Sequence, residues 1–188
     1  MKELTKEVVV GLWQCLQEEF GSEVKHKDDS AFMERVGGFL DLIGVLDKDA
    51  FMDNYATTIF DTIYLPFDIG DFSVVSPLSQ VALAVHEHEH VVQYDGDPVE
   101  FCFMYMATKS SRAHWEAEAY RTGMELIYKL TGTMPNADYV ARKILNYGCG
   151  DDEVQYIRQF LLMSQHPMKH GAIISDVTHR ALTFLADA

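Results

Sequence analysis

Apolar positions recur at helical spacing along much of the chain, in stretches separated by Gly, Pro, Asp and Ser. Thr5–Phe20 is the first such stretch, and Gly21 follows it at the position where helices commonly end. Ala31–Ile43 is the second, and the side chains of Asp28–Ser30 before it can cap a helix. The pattern therefore predicts two amphipathic helices at the start of the chain.

The end of the chain predicts three more helices. Asn136 and Asp151-Asp152 are the expected caps, and Gly148–Gly150 is the expected break. The three predicted segments are Asn136–Gly148, Asp151–Gln165 and Ile174–Leu185.

This last region contains three histidines, and histidine is a common metal ligand. His166 and His170 flank Pro167, which disfavours a continuous helix, so we expect a loop at this point. We interpret both residues, and His179, as surface histidines.

Residues 55–75 differ in character, because Thr, Ile, Phe, Tyr and Val are frequent and Pro66 and Gly70 interrupt them. We predict two or three short strands, with a hairpin near Thr57–Leu65 and Phe72–Val75. The open edge of such a sheet could bind an extended peptide through main-chain hydrogen bonds. Alternatively, the sheet could only cover the neighbouring helix.

The next stretch, Val81–Tyr94, contains the alternating run His86-Glu87-His88-Glu89-His90. Before it, Ser76-Pro77 supplies a capping residue and a Pro at the first helical position. Apolar residues then follow at helical spacing until a turn predicted at Asp95–Pro98. On a strand the three histidines would share one side, as in a three-His metal site, but the flanking residues favour a helix.

A helix gives this run a specific chemistry. His86 and His90 then lie one turn apart on the same face, where both imidazoles can reach one metal ion. Glu87 lies beside them and can take a proton from a metal-bound water, as in zinc hydrolases with the H-E-x-x-H pattern. His88 would point away from the metal as a packed or solvated residue.

A catalytic zinc ion needs a third protein ligand. The longest predicted helix, Ser111–Leu130, with a cap in Lys109–Ser111, offers Glu116 and Glu118. These two positions are about 200° apart on a helix, so both cannot face the metal. The spacing leaves the choice between them open.

Other residues of this region have predicted roles in packing. Val99–Met106 is an apolar stretch typical of a short buried helix. On the longer helix we expect Trp115, Ala119 and Met124 to be packed, and Arg121, Glu125 and Lys129 to be solvated. Four residues near the candidate ligands could stabilise an oxyanion: Arg112, His114, Tyr120 and Arg121.

Composition and charge narrow the classes of function. The chain is 48% apolar and 23% charged, as in ordinary globular proteins, and its net charge of −14 disfavours nucleic acid and membrane surfaces as partners. Cys15, Cys102 and Cys149 form no C-x-x-C pair and are expected to be small buried residues. The sequence shows no signal peptide or membrane-spanning segment, so we expect a cytoplasmic protein.

The spacing of these residues resembles that of a known family. His86-Glu87-x-x-His90 is followed, 26 residues after the second His, by Glu116–Tyr120, in the manner of a gluzincin-type zinc metallopeptidase. In that family the second helix carries a glutamate ligand. The resemblance covers about residues 76–125.

This resemblance implies a division of roles. The zinc ligands it implies are His86, His90 and Glu116. It also implies Glu87 as the catalytic base. Tyr120 stands where an Asp often supports a ligand histidine in the family, so Glu118 stays open as an alternative third ligand.

Together, these features predict a single zincin-like domain over residues 1–188, of the α+β class and mainly α-helical, with a small β-sheet on the H-E-x-x-H helix. Its expected parts are a helical region at 1–54, the sheet and metal-binding helices at 55–130, and C-terminal helices at 131–188. We expect a zinc-dependent hydrolase, specifically a metallopeptidase with a peptide or protein substrate. The alternative is a non-catalytic structural or partner-binding protein whose zinc is closed off by a fourth ligand such as His88 or Glu118.

Overall fold

Helices dominate the computed structural model, which describes residues 3–30, 33, 56–96 and 108–188. The helices are α1 (Lys6–Phe20), α2 (Pro77–Gly96), α3 (Lys109–Thr131), α4 (Ala137–Ala141), a 3-10 helix (Arg142–Tyr147), α5 (Asp151–Lys169) and α6 (Asp176–Asp187). The strands are β1 (Glu23–His26), β2 (Thr57–Ile59) and β3 (Thr62–Leu65). An α+β class that is mainly helical is therefore confirmed over the described residues.

Helix α1 begins and ends as the sequence predicts. The Thr5 side chain accepts a hydrogen bond from the backbone N–H of Val8, and Gly21 ends the helix in the left-handed conformation at φ 65°. The chain then enters β1, which the sequence analysis did not predict. This strand pairs in parallel with β3, with Val24 opposite Ile63, and such a distant partner leaves no local pattern.

The predicted hairpin is present, but one predicted strand is not. Strands β2 and β3 pair antiparallel, so that Thr58 faces Ile63. Phe72–Val75, expected to be a strand, forms turns instead. The buried side chain of Gln80 satisfies the backbone of this loop, because it accepts from the N–H of Gly70 and donates to the carbonyls of Asp71 and Val75.

Helices α2 and α3 form the centre of the fold. Ser76 caps α2 as predicted, accepting a hydrogen bond from the N–H of Ser79. The helix continues through Gly96, so the start of the turn predicted at Asp95–Pro98 is wrong. A Cβ at Gly123 of α3 would lie 3.4 Å from the Ala82 carbonyl oxygen, which shows how closely the two helices approach.

Two apolar clusters flank this helix pair. The first cluster joins α1, the sheet, α2 and α6, and it contains Trp13, Ile63, Val85 and Leu185 among its buried residues. The second joins α3, α4 and α5, and it includes Ile157. The expected flanking helices and small sheet therefore surround the two central helices.

Two predicted helix termini need correction. Thr108, rather than a residue of Lys109–Ser111, caps α3 by accepting from the N–H of Ser111. Gly150 is the N-cap residue of α5, where Asp151-Asp152 was predicted, and Glu153 accepts a hydrogen bond from its N–H. Asn136 caps α4 as predicted.

The loop predicted around Pro167 is also wrong. Helix α5 continues through this residue to Lys169. Pro167 lies in the last turn, where the loss of one main-chain hydrogen bond affects only the end of the helix. His166, His170 and His179 are exposed, as expected.

Burial along α3 differs most from the expectation at Glu125. Ala119 and Met124 are buried and Trp115 is partly buried, but Glu125, expected to be solvated, is fully buried. Its carboxylate accepts hydrogen bonds from the backbone N–H groups of Ile174 and Ser175, before α6. Glu125 therefore joins α3 to the start of α6.

The other two residues expected to be solvated are partly buried. Arg121 lies 3.6 Å from a carboxylate oxygen of Glu89, and Lys129 donates to the Gly171 carbonyl. Cys149 is buried as expected and Cys15 is partly buried.

Some predicted features lie outside the described residues. They are the helices Ala31–Ile43 and Val99–Met106, the end of the turn at Asp97-Pro98, and Cys102. In the part of the chain that the structure covers, no helix is both long and apolar enough to cross a membrane.

Replacement of Glu125 by Ala should destabilise the fold. One buried and one partly buried N–H group lose a charged acceptor, so we expect the free energy of unfolding to fall by about 2–3 kcal/mol. Urea denaturation followed by circular dichroism measures this change. Glu18→Ala, at an exposed position of α1, is the control and should have little effect. Equal stability of the two variants would contradict the role of Glu125.

Candidate metal centre

Two histidines and a glutamate meet between α2 and α3. His86 and His90 lie one turn apart on α2, with ring centroids 5.0 Å apart and ring planes at 89°. Glu116 reaches them from α3, with one carboxylate oxygen 3.6 Å from His86 Nε2 and the other 3.4 Å from His90 Nε2. One ligand atom from each residue lies within 4.8 Å of the other two. This group could bind a metal ion.

The distances from the two imidazoles to the Glu116 carboxylate are short enough for all three residues to contact one small cation. Two ligands at about 2.0–2.1 Å from zinc lie about 3.4 Å apart at a tetrahedral angle. The two nitrogen-to-oxygen distances from Glu116, each to a different carboxylate oxygen, are 3.6 and 3.4 Å. Glu116 is 1% exposed, and His86 and His90 are 8% and 6% exposed. A buried carboxylate is costly unless it is paired or coordinates a metal, so the position of Glu116 also fits a cation at this point.

Burial and charge set the protonation of the cluster. Burial lowers the pKa of His90, but the charge of Glu116 and a hydrogen bond with it raise this pKa, and the net result is about 9. Burial and the neighbouring His90 lower the pKa of His86 to about 3. The metal-free cluster therefore holds a proton on one imidazole, and a metal ion would take its place.

Neighbours on α3 hold the ring of His86. The backbone of Ala119 forms a hydrogen bond with this imidazole. The Tyr120 ring packs against it, with centroids 5.1 Å apart and planes at 31°. The family resemblance leads one to expect an Asp at position 120. Tyr120 instead supports the candidate ligand His86 by packing.

Glu87 lies beside the cluster with its carboxylate buried at 3% exposure. One carboxylate oxygen accepts a 2.7 Å hydrogen bond from Thr58 Oγ1 on β2, and the other lies 4.0 Å from His86 Nε2. Burial raises the pKa of Glu87, although the charge of His90 and the bond from Thr58 lower it. The sequence predicted the strand that carries Thr58 but gave no sign of this contact.

The remaining members of the alternating run point elsewhere. His88 is fully buried, with Nδ1 2.7 Å from the Ala84 carbonyl oxygen and Nε2 3.0 Å from Ser22 Oγ. Glu89 accepts a 2.7 Å hydrogen bond from Ser175 Oγ. The helical interpretation with a packed His88 is confirmed, and the strand with three histidines on one side is wrong.

Glu118, the alternative third ligand, lies outside the group of three. Its carboxylate accepts a 3.1 Å hydrogen bond from the side chain of Gln93. Gln93 also contacts His90, with 2.8 Å between Gln93 Oε1 and His90 Nδ1. Sequence analysis missed Gln93, although its place one turn after His90 was a usable signal.

The four candidates for oxyanion stabilisation differ in their surroundings. Tyr120 packs on His86, as described above. Arg112 donates to the carbonyl of Tyr147, and His114 bonds with Tyr156. Arg121 faces Glu89. Tyr120 is therefore the candidate that contacts the metal cluster.

Comparison with known proteins assigns no family. No family model matches the chain, and no curated protein or solved structure matches it.

Metal titration should identify the third ligand. Zn²⁺ added to the metal-free protein should saturate at one ion per chain. Glu116→Gln should weaken binding by more than about a hundredfold, since loss of an outer partner alone costs 10–100-fold. Competition with a chromophoric chelator measures the affinity. Glu118→Gln is the matched control, and its amide oxygen can still accept from Gln93. If Glu118→Gln lost zinc and Glu116→Gln retained it, Glu118 would be the ligand.

Proposed function

We propose that the protein is a zinc-dependent hydrolase of the gluzincin type that cleaves peptide bonds. His86, His90 and Glu116 would hold Zn²⁺, and Glu87 would be the general base. The observation that carries this proposal is that one ligand atom each from His86, His90 and Glu116 lies within 4.8 Å of the other two, with a second buried carboxylate 4.0 Å from His86 Nε2. A zincin-like fold for the whole chain belongs to the same proposal.

The chemistry divides between the ion and the protein. Zinc supplies a Lewis acid that polarises the scissile carbonyl and lowers the pKa of water to about 7. The Glu87 carboxylate accepts a proton from the attacking water and delivers it to the leaving amine. Burial, which raises the pKa of Glu87, brings its proton affinity closer to neutral pH and suits both steps.

Strand β2 offers a means of holding a peptide. It lies at one edge of the sheet order β1-β3-β2, and within the described residues it pairs only with β3. Thr58 of this strand donates its hydroxyl hydrogen bond to Glu87. A peptide that added to β2 through main-chain hydrogen bonds would therefore run past the proposed base.

A second candidate function follows from the burial of the cluster. Zinc that only joins α2 to α3 would also be buried, but structural zinc sites are closed by four protein ligands. In the described part of the chain His88 bonds with Ser22 and Glu118 with Gln93, and the group with metal-ligand geometry has three members. Three ligands rather than four among the described residues support catalysis over a structural ion.

Glu87→Gln should abolish hydrolysis while zinc stays bound. The amide keeps the shape of the side chain but cannot accept the proton from water, so we expect a loss of about 10²–10⁴-fold in kcat. Cleavage of a mixed peptide library, with the zinc content measured in parallel, tests this. Full cleavage by the variant would reject Glu87 as the base. Zinc-loaded wild-type protein that cleaves no peptide would favour the structural role.

Thr58→Val should lower activity by its effect on Glu87. Loss of a hydrogen bond to a carboxylate amounts to about 1.5–3 kcal/mol, which corresponds to a tenfold to hundredfold lower kcat. Thr57→Val, at the neighbouring position of the same strand, is the matched control. Both variants should bind zinc like the wild type. Equal rates for the two would show that Thr58 does not orient the base.

A further inference from the structure

Gln93 lies on α2, three residues after His90, and its side chain is buried at 8% exposure. We propose that Gln93 is a positioning residue for the metal ligand His90, and that Glu118 fixes Gln93 in turn. The proposal rests on the metal centre of the proposed function. It does not depend on the reaction that the centre performs.

Three hydrogen bonds determine the orientation of the Gln93 amide. Its nitrogen lies 3.1 Å from the Trp115 carbonyl oxygen and 3.1 Å from a carboxylate oxygen of Glu118. Both of these partners are acceptors, so the amide nitrogen must be the atom that faces them. The amide oxygen therefore faces His90, at 2.8 Å from Nδ1.

This orientation also determines the state of the imidazole. An amide oxygen only accepts hydrogen bonds, so His90 Nδ1 must carry a hydrogen and donate it. When His90 is neutral, its lone pair then lies on Nε2, the atom 3.4 Å from Glu116. Gln93 thus selects the tautomer that can bind a metal and holds the plane of the ring.

The same side chain connects the two helices that carry the ligands. The acceptors of its amide hydrogens belong to residues 115 and 118 of α3, which lie on either side of Glu116 in sequence. Gln93 therefore relates the position of His90 on α2 to that of Glu116 on α3. Partners of this kind typically contribute 10–100-fold to metal affinity.

Gln80 provides a control of the same residue type on the same helix. It is fully buried, accepts one hydrogen bond from a backbone N–H and donates two to backbone carbonyls. Its partners are Gly70, Asp71 and Val75, and none of them contacts the metal cluster. Loss of Gln80 should therefore cost stability without an effect on metal binding.

The test compares Gln93→Leu with Gln80→Leu in the full chain. Both should lower the unfolding midpoint of the metal-free protein in urea. Gln93→Leu should in addition bind Zn²⁺ about 10–100-fold more weakly in chelator competition, whereas Gln80→Leu should bind like the wild type. The visible spectrum of the Co²⁺ form should change in Gln93→Leu and stay unchanged in Gln80→Leu, because it reports ligand geometry.

A second pair of variants tests the link to Glu118. Gln93→Glu places a carboxylate against that of Glu118, and zinc binding should weaken. Glu118→Gln in the same chain gives residue 118 an N–H that can donate to residue 93, so binding should partly recover. Additive effects of the two changes would remove Glu118 from the proposal.

The outcomes separate this inference from the proposed function. Wild-type zinc affinity in Gln93→Leu overturns the positioning role and leaves the hydrolase proposal in place. If Gln93→Leu binds zinc more weakly and the wild-type protein hydrolyses no peptide, the positioning role is supported and the hydrolase is rejected. A wild-type chain that binds no zinc overturns the inference.

Discussion

The burial of the Glu116 carboxylate against two imidazoles is the constraint on which the rest of the structure depends. A carboxylate at 1% exposure is tolerated only where opposite charge or donors surround it, and His86 and His90 lie within 3.6 Å. Their approach requires α2 and α3 to lie close together, and a Cβ at Gly123 would already contact the Ala82 carbonyl oxygen at 3.4 Å. The two apolar clusters on either side of the helix pair hold this distance.

Five consecutive residues of α2, His86-Glu87-His88-Glu89-His90, are all buried, and together they contact four different neighbours. Their contacts are Glu116 for both His86 and His90, Thr58 for Glu87, Ser22 for His88 and Ser175 for Glu89. An amphipathic surface helix would expose one face, whereas α2 is enclosed by α1, α3, α6 and the sheet. The polar run is thus a set of links between the central helix and its surroundings.

Local patterns account for what the sequence could predict. Helical spacing and caps located α1, α2 and α3, and the spacing of His86 and His90 with a glutamate on a second helix located the candidate site. Partners distant in sequence could not be read in this way. Strand β1 depends on a parallel partner more than 30 residues away, and Glu125 looked solvated because the backbone N–H groups that donate to it lie about 50 residues later, just before α6. Thr58 and Gln93 likewise acquire their roles only when the chain is folded.

The distinction between structural and chemical roles within the run follows from its hydrogen bonds. A buried polar residue is generally less favourable for stability than an apolar one of similar size, so a helix needed only for packing would not require five of them. His88 bonds with Ser22, Glu89 bonds with Ser175 and faces Arg121, and these contacts account for their burial. His86, His90 and Glu116 instead bring three ligand atoms within 4.8 Å of one another, with Glu87 held beside them by Thr58. Packing alone does not require that convergence, whereas binding of a cation would.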